Sequence, residues 1–208
     1  MHRNPASRIP RTTDRRAQRT HKLLSDALIA LMVERGYEVL TVQDILDRAN
    51  IGRSTFYMHF RGKEELLISG IESLRKGLQE VQRKIAASNR GSDSALAFTE
   101  ALFEHISGHR DIYHAIVGRQ SGVIVMREFQ KMYATLVRRD LEPFAPRGAH
   151  GTYLLDMVVS QISGSLMSII SAWLERHPRV SPQEINKLFL RLTLPGTLAA
   201  LQGGARRQ

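Results

Sequence analysis

An all-α fold of about nine helices is what this 208-residue sequence predicts. Three observations carry the prediction. Apolar residues recur at steps of three and four through most of the chain, the period of a helix with one buried face. No segment alternates apolar and polar residues in the period of a strand, and no internal repeat divides the chain. The breaks between periodic segments hold glycine, proline or asparagine, which stop helices. The hydrophobic share, 42%, is enough to fill a core, and the length suits one large domain or two small ones.

Residues 1–13 read as a flexible basic arm, with Pro5 and Pro10 and little apolar content. Arg3, Arg8, Arg11, Arg15, Arg16, Arg19 and Lys22 crowd the first stretch against a single Asp14. Helix 1 follows to Arg35, with Leu24, Ala27, Leu28, Leu31 and Met32 on one face and Gly36 as its stop. Tyr37 and Val39 are expected to close a small core.

The stretch from Thr41 to Lys63 organises the rest. Thr41 with Asp44 three residues on is a capping-box-like start. Val42, Ile45, Leu46 and Ala49 give helix 2 a buried face, and Asn50 suits a left-handed turn. Gly52 serves as N-cap for helix 3, Arg53 to His59, which is too short to stand alone. Phe56 and Phe60, four apart, supply its buried side, so Arg53, Ser54, Tyr57 and Met58 share the exposed one. Arginine grips a guanine edge with two hydrogen bonds, and serine and tyrosine hydroxyls bond bases or phosphates. A helix-turn-helix over residues 14–62 is therefore expected to bind DNA. At Lys63, free N–H groups at a helix start together with a cation suggest a phosphate site.

Helix 4 runs from Lys63 to about Ala87, with Leu67, Ile71, Leu74, Leu78, Val81 and Ile85 on one side. A rod of about 25 residues spans nearly 40 Å and can link distant events. Asn89 to Ser92 form a loop, and Asp93 caps helix 5, with Phe98, Leu102 and Ile106. Helix 6 holds Ile112, Ala115, Ile116 and Val117. Helix 7, Val123 to Leu141, aligns Met126, Phe129, Tyr133, Leu136 and Val137. Helix 8, Thr152 to Arg176, has Leu155, Val159, Ile162, Leu166, Ile169, Ile170 and Trp173 on its apolar side and carries a small-residue stripe, Ser160, Gly164 and Ser168. Ser181-Pro182-Gln183-Glu184 begins helix 9, with Ile185, Leu188, Phe189 and Leu192, and Pro195-Gly196 is expected to end it. Residues 203–208 read as a disordered tail, leaving 63–202 as the second domain.

A net charge of +10 favours an anionic partner. No cysteine is present, which excludes disulfides and thiolate metal sites. No apolar run nears the roughly 18 residues of a membrane span. The N-terminus lacks the apolar core of a secretory signal. These readings point to the cytoplasm and to no membrane partner.

Gly36-Tyr37, Val39 to Val42, Ile45, Ala49, Ile51, Thr55-Phe56-Tyr57, His59-Phe60 and Lys63-Glu64-Glu65-Leu66 together resemble the DNA-binding domain of TetR/AcrR-family transcriptional regulators. The resemblance covers the first third of the chain. It implies that Arg53, Ser54, Thr55, Tyr57 and His59 face DNA, with Thr41 and Lys63 on phosphates. Arg16 and Arg19, on the basic approach to the motif, join them as DNA-binding candidates. Asn50 stands where the family usually has glycine, and Gly52 where it usually has a capping serine.

The resemblance further implies a homodimer built from helices 8 and 9, with Ser160, Gly164, Ser168, Leu188 and Leu192 at the interface. It implies a pocket for a small effector within helices 4 to 8, with candidates His105, His109, Tyr113, Gln161, Ser165 and Trp173. One short recognition helix reads few bases, which independently favours two copies about 34–36 Å apart on a palindromic operator. The function expected is a repressor released from double-stranded DNA by a small molecule. The alternatives are a ligand-independent regulator or activator, and a helical enzyme or interaction protein with an incidental helix-turn-helix. His105 and His109, with Asp111 or His114 nearby, could share a metal, but no HExxH, GxSxG or Gly-rich phosphate loop is present. No catalytic residue, metal or cofactor is expected.

Overall fold

The computed structural model describes residues 11–88, 94–117 and 122–203. Among these residues there are nine α-helices and no strand. Residues 1–10 of the arm expected at 1–13, the Asp93 cap and residues 204–208 of the tail expected at 203–208 lie outside the described residues, whereas 11–13 and Gly203 are helical. The chain divides into two compact units after Leu67.

In the first unit, α1 (Arg11–Arg35) packs on α2 (Val42–Ala49), and α2 meets α3 (Arg53–His59). Helix α1 begins three residues before the expected start. Gly36 ends it in a left-handed conformation, φ 82°, that costs glycine nothing. Leu24, Leu28, Leu31, Ile45, Phe56, Phe60 and Leu66 are almost wholly buried and form the core. Tyr37 closes that core, but Val39 does not. It is 67% exposed, and Leu40 points inward instead. The segment turns rather than runs extended here, as the Leu40 N–H bond to the Tyr37 carbonyl records.

Helix α4 (Lys63–Ser88) begins in the first unit and continues into the second. In the second unit, α8 (Ala149–Arg176) packs against α6 (Arg110–Val117), α7 (Gly122–Leu141) and α9 (Pro182–Gly203), and α9 also covers α5 (Phe98–Gly108). Phe103 lies edge-on to Trp173 and Phe189, joining α5, α8 and α9. Helix α8 does contain an 18-residue window apolar enough for a membrane span, and 44% of that window is buried against the protein.

Helix α9 starts as expected. The Ser181 hydroxyl accepts from Glu184 N–H, and the Glu184 carboxylate accepts from the Ser181 N–H and hydroxyl. It does not stop at Pro195-Gly196. Proline removes one N–H from the helix ladder, yet Thr197 and Leu201 beyond it are buried. Packing there outweighs the missing bond.

A buried polar clip ties α4 to α7. The Gln82 amide donates to the Leu136 carbonyl and to Asp140, both at 2.8 Å. The second Asp140 oxygen accepts from Leu96 N–H at 3.1 Å, where Leu96 holds a left-handed φ of 60°. Burial outweighs these bonds and pushes the Asp140 carboxyl up to about 6.

Candidate nucleic-acid interface and effector region

Thr41 and Asp44 build the start of α2 through a reciprocal capping box. The Thr41 hydroxyl accepts from Asp44 N–H at 3.2 Å and donates to the Asp44 carboxylate at 2.6 Å, and Thr41 N–H donates to the same oxygen at 2.8 Å. These bonds, with Arg35 at 3.1 Å, hold the Asp44 carboxyl down to about 2. Thr41 is thus committed to capping the helix, and its hydroxyl proton is not free for a phosphate. Glu34 and Arg48 pair across α1 and α2. Asn50 ends α2 at φ 51°, ψ 48°, the left-handed cap its side chain tolerates.

Helix α3 then starts at Gly52 without a side-chain cap. Phe56, 0% exposed, anchors its inner side. Arg53 and Ser54 are exposed on the outer side, with Tyr57 and Met58 at 51% and 75%. Arg53 donates to the Gln43 carbonyl oxygen at 2.7 Å, and the Gln43 amide donates to Asp47. Gln43 thereby steers the guanidinium, a role that its place among the polar residues of α2 did not signal. Thr55 is half-buried, and so is His59, whose ring lies edge-on to His21 of α1 at 4.9 Å. Burial and the nearby His59 lower the His21 pKa. Arg16 and Arg19 are exposed on α1.

Lys63 requires a correction. Its ammonium donates to the carbonyls of Tyr37, Glu38 and Leu40 at 3.0, 3.0 and 2.7 Å and sits 4.6 Å from the Tyr37 ring centre. An ammonium has three donors, so all are engaged in closing the α1–α2 turn, not in holding a phosphate.

In the second unit the six effector candidates separate. Tyr113 is buried and lines a crevice between α6, α7 and α8. His105 is half-buried and stacked on exposed His109 at 4.4 Å, and the His109 Nδ1 lies 2.8 Å from the His105 carbonyl oxygen. Burial, then His109, lower the His105 pKa. The rings are stacked rather than converging on a point, and among the described residues no group of three metal-ligating side chains exists. Ser165 bonds back to the Ile162 carbonyl within its own helix. Gln161 is exposed. Trp173 is core: its indole N–H donates to the Val180 carbonyl at 2.9 Å, and the Arg110 guanidinium lies 4.5 Å from its ring centre. Periodicity shows that a residue faces inward, not whether it meets a cavity or a neighbour.

The interface candidates Ser160, Gly164, Ser168, Leu188 and Leu192 are all exposed. Tyr153 and Met157, 62% and 49% exposed, extend the α8 stripe by two turns.

Comparison with known proteins decides what these units are. The family model for bacterial regulatory proteins of the TetR family matches residues 24–69, and the model for a transcriptional regulator C-terminal region matches 93–194. The chain belongs to the TetR family. It is 27% identical over 151 residues to the uncharacterized HTH-type transcriptional regulator YxbF of Bacillus subtilis, covering 70% of this chain and 39% of YxbF. It is 32% identical over 73 residues to the uncharacterized regulator YvkB of the same organism, 35% of this chain and 32% of YvkB. The matched stretches thus span well under half of these relatives. Among solved structures, FadR from Thermus thermophilus, a TetR-family transcriptional repressor in complex with lauroyl-CoA, superposes with a TM-score of 0.63 at 20% identity, covering 85% of this chain and 94% of that one. That likeness establishes the TetR-family fold.

Proposed function

We propose that this TetR-family chain is a sequence-specific DNA-binding transcriptional regulator, acting as a dimeric repressor that a small molecule releases from a palindromic operator. One observation carries the reading: Arg53, Ser54, Tyr57 and Met58 stand outward on a short helix whose inner side is fixed by buried Phe56. Arg53 suits a guanine edge, Met58 a thymine methyl, and Ser54 and Tyr57 a base or phosphate. Arg16 and Arg19 add charge that draws the phosphate backbone. Thr55 and His59 serve DNA only at their exposed edges.

The exposed stripe from Tyr153 to Ser168, with Leu188 and Leu192, is the surface proposed to meet a second copy. Small Gly164 and Ser160 let helices approach closely. A dimer places two copies of α3 on successive major grooves. The family setting, including a relative that holds an acyl-CoA, supports an effector in the second unit. The action belongs in the cytoplasm, where bacterial DNA lies, and nothing in the site calls for catalysis.

The test is retardation of a duplex from the gene's own upstream region at low and moderate salt. The expected outcome is a discrete complex that survives competitor DNA. Failure to retard any duplex at low salt contradicts the reading. The narrowness of the inner crevice, about 10 Å³, favours as a second reading a regulator that works without an effector. Thermal shift separates the two, because a bound effector raises the melting temperature by mass action.

A further inference from the structure

Two spaces lie side by side between α7 and α8 and share a wall. The inner one is the crevice beside Tyr113, Phe129, Tyr133 and Ile170, which holds about 10 Å³, room for one water. The outer one is an open cleft of about 470 Å³ flanked by Val123, Arg127 and Gln130 of α7 and Gly164 of α8. Met126 and Met167 line both. Methionine is unbranched and adapts its shape readily, so a movement of these two side chains joins the spaces.

The two spaces differ in chemistry. Among the described residues, no acidic or basic side chain lines the inner crevice, and burial raises the pKa of both its tyrosines, which keeps them neutral. Its rings pack on one another, Tyr113 on Phe129 at 5.7 Å and Phe129 on Tyr133 at 6.1 Å, and the edge of this aromatic cluster favours a flat aromatic occupant. Among the described residues, the outer cleft has one charged lining residue, Arg127. Its nearest acid, Glu128 at 3.7 Å, is more closely held by Lys131 at 2.7 Å. A guanidinium has five donors in a planar fork that matches a carboxylate, and the Gln130 amide adds another. The cleft's volume falls within the range of roughly 300–1,000 Å³ common to small-molecule sites.

We propose that the two spaces form one binding site for a flat aromatic carboxylate, its ring in the space that Met126 and Met167 vacate at the edge of the Tyr113, Phe129 and Tyr133 cluster, and its anionic head on Arg127 and Gln130. This deepens the regulator reading and rests on it for biological meaning. Gly164, on the cleft's rim, also lies on the stripe proposed to meet a second copy, so an occupant sits at the edge of that seam.

The experiment is isothermal titration of the full chain with 2-naphthoate and with 2-naphthalenemethanol, the same ring without charge. The expected result is naphthoate binding about 10-fold tighter than the alcohol. Arg127→Gln should abolish that preference and leave the alcohol's affinity unchanged. Met167→Trp, which fills the shared wall, should weaken both ligands, while Met167→Leu retains both and controls for folding, checked by circular dichroism. No naphthoate binding, equal binding of acid and alcohol to the wild type, a preference that survives Arg127→Gln, or undiminished binding to Met167→Trp would each overturn the proposal. Duplex retardation by the same preparation is read separately. Its failure sinks the regulator reading, whereas failure of naphthoate with retardation intact sinks only the ligand class.

Discussion

The two units of this molecule hold their chemistry in opposite places. In the first, the side chains that matter stand outside: Arg53, Tyr57 and Met58 face solvent, while a capping box, a left-handed asparagine and an engaged lysine fix the backbone behind them. In the second, the candidate chemistry lies between helices, from a closed aromatic crevice out to an open cleft at Arg127. A surface that reads a polymer needs a rigid, exposed array. A site for a small molecule needs enclosure, and enclosure arises only when several helices pack. The contrast predicts where substitutions cost stability and where they cost recognition alone.

The largest expected effect is on the packed interior. Trp173→Ala removes a side chain 1% exposed, its bond to the Val180 carbonyl and the shelf under Arg110. A loss of about 3–5 kcal/mol in the second unit's stability is expected by urea denaturation. A loss under about 1 kcal/mol would show that the site is loosely packed.

Lys63→Met comes next and sharpens the boundary between support and recognition. Three carbonyls lose their donor, so the first unit should lose about 2–3 kcal/mol of stability, with DNA binding falling through unfolding. Were Lys63 a phosphate contact instead, the melting curve would not move and the salt slope would flatten by about one unit.

Asp140→Asn should have a smaller effect with a distinct pH signature. The folded Asp140 carboxyl lies at about 6, above the ordinary value of 3.8. The native state therefore binds more protons than the unfolded chain between those values, and this group's contribution to stability falls as pH rises from about 4 to about 6. Partial exposure limits the change to on the order of 1–2 kcal/mol. Asparagine should remove the slope, read as urea midpoints across that window. An unchanged slope would place the titrating group elsewhere. Asp44, held down to about 2, acts only at lower pH and in the opposite sense, its contribution being lost as pH falls.

The smallest effect tests the departure at the start of α3. A side chain at Gly52 meets open space, and the backbone there is extended, φ −68°. Gly52→Ser should supply the missing cap and stabilise the first unit by a few tenths of a kcal/mol, seen as a small rise in melting temperature. A fall would mean that the loop resists the cap.

The contrast between the units also explains what the sequence made readable. Local signals placed α2, α3 and the Ser181 capping box, because each depends on residues within one turn of each other. The outward set on α3 followed from the four-residue spacing of Phe56 and Phe60. The failures share one cause, contacts made far along the chain. Lys63 reaches back 26 residues to Tyr37, and no spacing rule anticipates that. Pro195 sits inside α9 because Leu201 finds a buried seat beyond it. Trp173 and Gln161 both belong to an apolar helix, yet one meets Phe103 and the other meets solvent. The shared methionine wall between the two α7–α8 spaces has no sequence signature.

The most direct measurement is a paired titration of wild type and Arg53→Ala against a duplex selected from a random pool by the wild type and against a scrambled duplex at the same salt. The account predicts that Arg53→Ala loses about 1–3 kcal/mol on the selected duplex, keeps its weak affinity for the scrambled one and melts as the wild type does. Equal losses on both duplexes, or none on either, would contradict the claim that the outward face of α3 reads sequence.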